Sequence, residues 1–142
     1  MENVNARYLK AEDFPCKIDG IVADVSFISL KHIFPVISAI LSEGQNAFVL
    51  IKSQFECENK GIGKSGIVKK TEHKKIVKKV LSYAAENALL PVDITNAPLK
   101  KGKNIEYVLQ LIKGDKTGAA ISKVAEDRIL SKIAQITKAE EK

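Results

Sequence analysis

Ile18-Asp19-Gly20-Ile21-Val22-Ala23-Asp24-Val25-Ser26-Phe27-Ile28-Ser29-Leu30 is the stretch that decides the fold. Its first half is a short apolar run suited to a buried strand, and it ends on a carboxylate and a Ser-Phe pair. Ala47-Phe48-Val49-Leu50-Ile51-Lys52-Ser53-Gln54-Phe55-Glu56 repeats the pattern with a lysine at the strand end. In open α/β sheets, ligands bind beyond the carboxyl ends of parallel strands, so Asp24 and Lys52 are placed to face one crevice. An acid and an amine side by side there suit catalysis.

Outward from these two runs the chain alternates. Residues 18–25 predict a strand and 29–43 a helix, with Ile33, Val36, Ile37, Ile40 and Leu41 on one face and Pro35 either kinking or starting it. Residues 46–52 predict a second strand, and 53–70 a Gly- and Lys-rich loop. Thr71 is placed to cap a helix running to about Asn87, whose stripe is Ile76, Val77, Val80, Leu81, Ala84 and Ala88. Residues 90–96 and 104–113 predict two more strands, and Ala119 to about Thr137 a last helix. The order β-α-β-α-β-β-α implies an α/β fold with a mostly parallel sheet whose last strand is antiparallel.

The 142 residues are 45% hydrophobic and 28% charged, enough for one domain with a real core. No run reaches the ~18 apolar residues of a membrane span, because Asp24, Lys31 and His32 interrupt the richest stretch. Met1-Glu2-Asn3-Val4-Asn5 has neither region of a secretion signal, and Cys16 and Cys57 have no metal or redox spacing. These features predict a cytoplasmic protein without a metal. The formal charge is +6, and lysines dominate it. They cluster at Lys60, Lys64, Lys69, Lys70, Lys74, Lys75, Lys78 and Lys79, and again at Lys100, Lys101 and Lys103. Such clusters suit a phosphate backbone, although a solvated lysine-rich surface has the same composition.

Gly61-Ile62-Gly63-Lys64-Ser65-Gly66 imitates a nucleotide-binding loop. That fingerprint must sit directly between a strand and its helix. Here residues 53–60 separate it from the strand, and the helix does not begin until Thr71. A P-loop would also need glycine where Glu58 stands, so the segment is read as a flexible loop.

Four segments carry a resemblance: Asn5-Ala6-Arg7-Tyr8-Leu9, Asp24 through Leu30, Ile51 through Glu56, and Asn104-Ile105-Glu106-Tyr107. Their order and spacing are similar to those of the TlyA family, the haemolysin A-like proteins regarded as FtsJ-like ribosomal RNA 2′-O-methyltransferases. The resemblance spans roughly residues 2–113. It implies the carboxyl-terminal half of a Rossmann-like methyltransferase fold. Family members usually have proline where this chain has Ser53, and glycine where it has Lys103. They also carry, upstream, an S4-like RNA-binding domain, a first catalytic lysine and a Gly-rich loop for S-adenosylmethionine. None of these is in the sequence, so it resembles a partial methyltransferase domain over residues 1–142.

The family's Lys-Asp-Lys-Glu tetrad is matched at Asp24, Lys52 and Glu106, which the resemblance makes the catalytic residues. Transfer to a ribose 2′-hydroxyl needs that hydroxyl oriented and relieved of its proton. Lys52 is the candidate base, Asp24 orients the lysine or hydroxyl, and Glu106 helps hold the network. Two flanking carboxylates favour the charged lysine, and the missing second lysine would have favoured the amine. Asn3, Asn5, Arg7 and Asp24 are the candidate cofactor residues. Lys69, Lys70, Lys74, Lys75, Lys100, Lys101 and Lys103 are the candidate RNA contacts, with ribosomal RNA or ribosomal subunits as partner. S-adenosylmethionine binding is expected to be weak or absent, and this chain alone inactive. The alternatives are a non-catalytic RNA- or ribosome-binding module and a haemolysin-like protein. The strand at residues 18–25 would become a sheet edge, which predicts self-association through it.

Overall fold

The computed structural model describes residues 2–58, 61–115 and 122–139. Its strands and helices run β1 (Ile18–Ala23), α1 (Phe34–Ile40), β2 (Leu41–Lys52), the single turn α2 (Ser53–Glu56), α3 (His73–Glu86), β3 (Leu89–Asn96), β4 (Glu106–Lys113) and α4 (Lys123–Ala139). The four strands form one sheet in the order β1-β2-β4-β3. The crossover through α1 makes β1 and β2 parallel. Strand β4 inserts between β2 and β3 and is antiparallel to both. Three strands therefore share one direction while two of the three pairings are antiparallel, a Rossmann-like α/β arrangement.

The two faces of the sheet differ. Along β2 and β4 the opposed pairs Ala47–Leu111, Val49–Leu109 and Ile51–Tyr107 are fully buried. They share a core with Ile76, Val77, Val80, Leu81 and Ala84 of α3, and with Ile129 and Ile133 of α4. The alternate positions belong to the other face, where Phe48 remains 40% exposed and its β1 neighbour Val22 84% exposed. One face thus carries the helices and the other is open to solvent around Val22 and Phe48.

Several local expectations change. The helix predicted over 29–43 is a 3-10 turn at Leu30–His32 followed by the shorter α1. Pro35 lies in the first turn of α1, where its missing N–H costs nothing, so it starts the helix and does not kink it. The helix ends at Ile40 because Leu41 already pairs with Ile18, before Gly44 takes a left-handed φ of 77° and the ladder shifts register. Thr71 does not cap α3. It lies in a 3-10 turn, Lys70–Glu72, and its hydroxyl donates to Glu72 Oε1 at 3.4 Å. The stripe of α3 holds from Ile76 to Ala84, but Ala88 lies past the helix with φ 52°. The final helix was expected from Ala119, which falls outside the described residues, and α4 continues to Ala139.

Candidate active site

The carboxyl ends of β1 and β2 bring Asp24 and Lys52 together. Lys52 Nζ lies 2.8 Å from Asp24 Oδ1 and donates to Ser26 Oγ at 2.7 Å. The lysine side chain is only 15% exposed whereas the aspartate is 64% exposed. The amine is therefore sheltered and fixed by two partners, while one side of the carboxylate opens to solvent. Ser26 is a partner that the strand pattern did not single out.

Glu106 enters from β4. It is the direct register partner of Lys52, the last pair of the β2–β4 ladder, so the two side chains share the open face of the sheet. Among the described residues Glu106 forms no ion pair with Lys52, Lys100 or Lys103. It lines a cleft of about 510 Å³ with Gln54, Ser65 and Lys103. Asn104 ties the cleft's two walls, accepting from Val68 N at 2.8 Å and donating to the Gly66 carbonyl at 3.1 Å.

Behind the lysine, the two strand-end segments are joined by Glu56. Its Oε1 accepts from Leu30 N at 2.6 Å and its Oε2 from Ser29 Oγ at 2.7 Å. Burial pushes the Glu56 carboxyl above the ordinary glutamate range, against the pull of the Leu30 N–H and the Ser29 hydroxyl. Phe27 packs on Phe55 with centroids 5.0 Å apart, yet is 91% exposed with φ 60°, an uncommon conformation for a bulky residue. Ser29, Glu56 and the Phe27–Phe55 pair are organising contacts that the spacing analysis missed. Their signal was that all four residues lie in the two most specific segments.

The other candidates are distributed around this centre. Asn5 Oδ1 accepts from Arg7 N and Nε at 3.1 and 3.3 Å. Asn5 and Arg7 line a cavity of about 350 Å³ with Val25, Ser26 and Phe27, beside the lysine site. Asn3 is exposed, has φ 58° and does not line that cavity. Lys69, Lys70, Lys74, Lys75, Lys100, Lys101 and Lys103 are all exposed, and Lys75 pairs with Glu72 at 2.9 Å.

The glycine-rich imitation of a nucleotide loop is a small hairpin closed by the Ile62–Val68 bridge. Its Gly61, Gly63 and Gly66 N–H groups donate to the carbonyls of Glu58, Ile67 and Gly63. Those three donors are therefore already used and are not offered to a phosphate. A Cβ at Gly61 would lie 2.4 Å from Cys57 Sγ, so a larger residue there would have to displace the thiol. Among the described residues no group of three His, Cys, Asp or Glu gathers to hold a metal. None of the described helices is long and apolar enough to cross a membrane.

The profile of FtsJ-like methyltransferases matches residues 1–113. The chain is 35% identical over 114 residues to YqxC of Bacillus subtilis, whose name places it among rRNA methyltransferases, covering 78% of this chain and 41% of that one. It is 36% identical over 115 residues to Hemolysin A of Brachyspira hyodysenteriae, covering 79% and 48%. It is 33% identical over 113 residues to the 16S/23S rRNA (cytidine-2′-O)-methyltransferase TlyA of Mycobacterium tuberculosis, covering 78% and 42%. A solved structure named as a hemolysin, from Streptococcus thermophilus, superposes with TM-score 0.82 at 30% identity, over all of this chain and 52% of that one. The chain spans less than half the length of these curated relatives. Matched over residues 1–113, and carrying Asp24, Lys52 and Glu106 at the ends of adjacent strands, the chain belongs to the FtsJ-like methyltransferase family.

Proposed function

We propose that this chain forms the substrate-facing half of a ribosomal RNA ribose 2′-O-methyltransferase that uses S-adenosylmethionine. The observation that carries this is the sheltered Lys52 Nζ, 2.8 Å from Asp24 and 2.7 Å from Ser26 at the ends of two parallel strands. A base for a ribose hydroxyl must be fixed in direction and partly withdrawn from water, and Lys52 is both.

The cavity beside this lysine suits the adenosine end of the cofactor. Val25 and Phe27 offer apolar walls, and Asn5 and Ser26 offer polar groups for a ribose. Those residues would hold the cofactor, which when bound supplies an electrophilic methyl group. Nothing among the described lining residues cradles its methionine end, which the family assigns to an upstream Gly-rich loop. By themselves these lining residues hold the cofactor weakly.

In the reaction Lys52 takes the 2′-hydroxyl proton after giving one of its own to solvent, while Asp24 and Ser26 hold Nζ in line. Glu106, on the same face, fixes the ribose from the β4 side. The exposed lysines of 69–75 and 100–103 hold the flanking phosphates, and ribosomal RNA is the partner. A chimera tests this assignment. Joined to the amino-terminal portion of the Bacillus subtilis relative, the chain transfers labelled methyl to ribosomal RNA. Alkaline digestion then leaves resistant dinucleotides, because the 2′-oxygen is blocked. Methylation of bases instead, or unchanged turnover in a Lys52→Ala chimera, would overturn the assignment.

A further inference from the structure

The strand β2 stops pairing at a revealing point. Lys52 and Glu106 are the last register pair of the β2–β4 ladder, and α2 begins at Ser53. The next ladder step would join Ser53 to Ile105 through the backbone, but a helical residue can no longer make it. Instead the Ser53 side chain donates to the Ile105 carbonyl at 2.8 Å. Ser53 is completely buried, so this bond has no competition from water.

The hydroxyl is held from behind. His73, at the start of α3, places Nδ1 3.4 Å from Ser53 Oγ and 2.8 Å from the Tyr107 hydroxyl. Tyr107 follows Glu106 in β4, and its ring meets the His73 imidazole edge-on at 5.7 Å. All three residues are buried. Ser53 has one proton and gives it to Ile105, so toward His73 it can only accept; the contact therefore uses the Nδ1–H tautomer, toward which the Tyr107 oxygen also accepts. The cluster links α2, α3 and β4 directly beneath the two residues to which we assign chemistry.

We propose that Ser53 is a positioning residue for the Lys52–Glu106 pair. Its hydroxyl supplies the ladder step lost where β2 becomes α2, and His73 with Tyr107 fixes its rotamer. The inference rests on the proposed roles of Lys52 and Glu106, but concerns their geometry and is tested on it.

The test compares Ser53→Thr with Ser53→Val in the whole chain by NMR. Both add branching at Cβ, and only threonine keeps the hydroxyl. A lysine ammonium gives a visible proton signal when ion-paired and sheltered, and loses it to solvent exchange when released; Lys52→Arg assigns the signal. With threonine, the Lys52 signal and slow exchange of the Glu106 and Tyr107 amides persist. With valine, the signal disappears and those amides exchange about tenfold faster, the scale of one lost buried hydrogen bond. The amides of Val49 and Leu109, a buried pair in the middle of the β2–β4 ladder, exchange alike in both variants, which separates a positioning effect from general loss of stability. If the branched side chains prevent folding, Ser53→Ala is compared with the unaltered chain by the same signals. An unchanged Lys52 signal and unchanged Glu106 and Tyr107 exchange, in valine or in alanine, would overturn the proposal. None of these signals reads methyl transfer, so failure of the catalytic assignment would leave them intact.

Discussion

Lys52 and Glu106 stand directly across from each other at the end of the β2–β4 ladder, yet the lysine turns its Nζ to Asp24, 2.8 Å away. The two carboxylates near this lysine are therefore not equivalent. One holds it, and the other faces a cleft from the opposite side. In the chimeric enzyme, Lys52→Ala should lower single-turnover methyl transfer by about 10²–10⁴, the usual worth of a positioned acid or base. Asp24→Ala should come close to that loss, because it frees the amine, and Glu106→Ala should be milder. RNA affinity, measured in parallel by filter binding, should stay within a few fold for all three. Equal losses from both carboxylate variants would contradict the asymmetry.

Glu56 sets a pH dependence of stability. Burial raises its folded-state pKa above the ordinary value of 4.5, so the folded chain binds this proton more tightly than the unfolded chain. Its contribution is fully present below pH 4.5 and is lost as pH rises through the raised value. Glu56→Gln abolishes that slope and leaves one acceptor oxygen for the two donors at Ser29 and Leu30. The destabilisation caused by Glu56→Gln should then be largest at the acid end and shrink toward neutrality. Urea unfolding of both proteins between pH 4.5 and 7.5 checks the sign, and a gap that widens with pH would contradict it. Asp93 serves as an internal contrast. Its hydrogen bond to Lys132 lowers its pKa, so its contribution is lost as pH falls.

The lysine clusters make a salt-dependence prediction. Charge reversal at Lys69, Lys70, Lys74 and Lys75 should flatten the plot of log K against log salt for RNA, each lost phosphate contact removing ~0.7–0.9 of slope. Lys75 should contribute less than Lys74, because it is already paired with Glu72. An unchanged slope after all four reversals would place the RNA face elsewhere.

The fold was legible where one residue's local pattern sufficed. The apolar runs ending in Asp24 and Lys52 marked two parallel strands and the crevice beyond them. The apolar spacing from Ile76 to Ala84 marked α3. Glu106 was identified through resemblance, since nothing in its neighbourhood distinguishes it from a surface acid. What stayed hidden depends on partners distant in sequence. The Glu56–Leu30 bond joins residues 26 apart, and Ser53–Ile105 joins residues 52 apart. The length of α1 was hidden for the same reason, because Leu41 is drawn out of the helix by pairing with Ile18. Thr71 suited a cap by type, but a 3-10 turn put it one residue too early.

The sheet's exposed side yields the last prediction. Strand β1 is an edge, and its neighbour β2 lies on one side only. Natural edges are guarded by lysine, proline or a bulge on the outer strand. The interior of β1 has Gly20, Ile21 and Val22, with Asp19 its only charge. Val22 is 84% exposed, and its pair Phe48 continues the apolar surface onto β2. A free edge contiguous with an uncovered apolar face is a combination that monomers seldom tolerate. The chain by itself should therefore self-associate through residues 18–25, and light scattering at ~100 μM should report species larger than a monomer. Val22→Lys places a guarding charge on both the edge and the face, and should shift the population toward monomer without loss of helical signal. In the associated form the amides of residues 20–24 should exchange slowly, and in the Val22→Lys monomer they should exchange quickly. A clean monomer of the unaltered chain at that concentration, with those amides already slow, would mean that another part of the chain covers the edge.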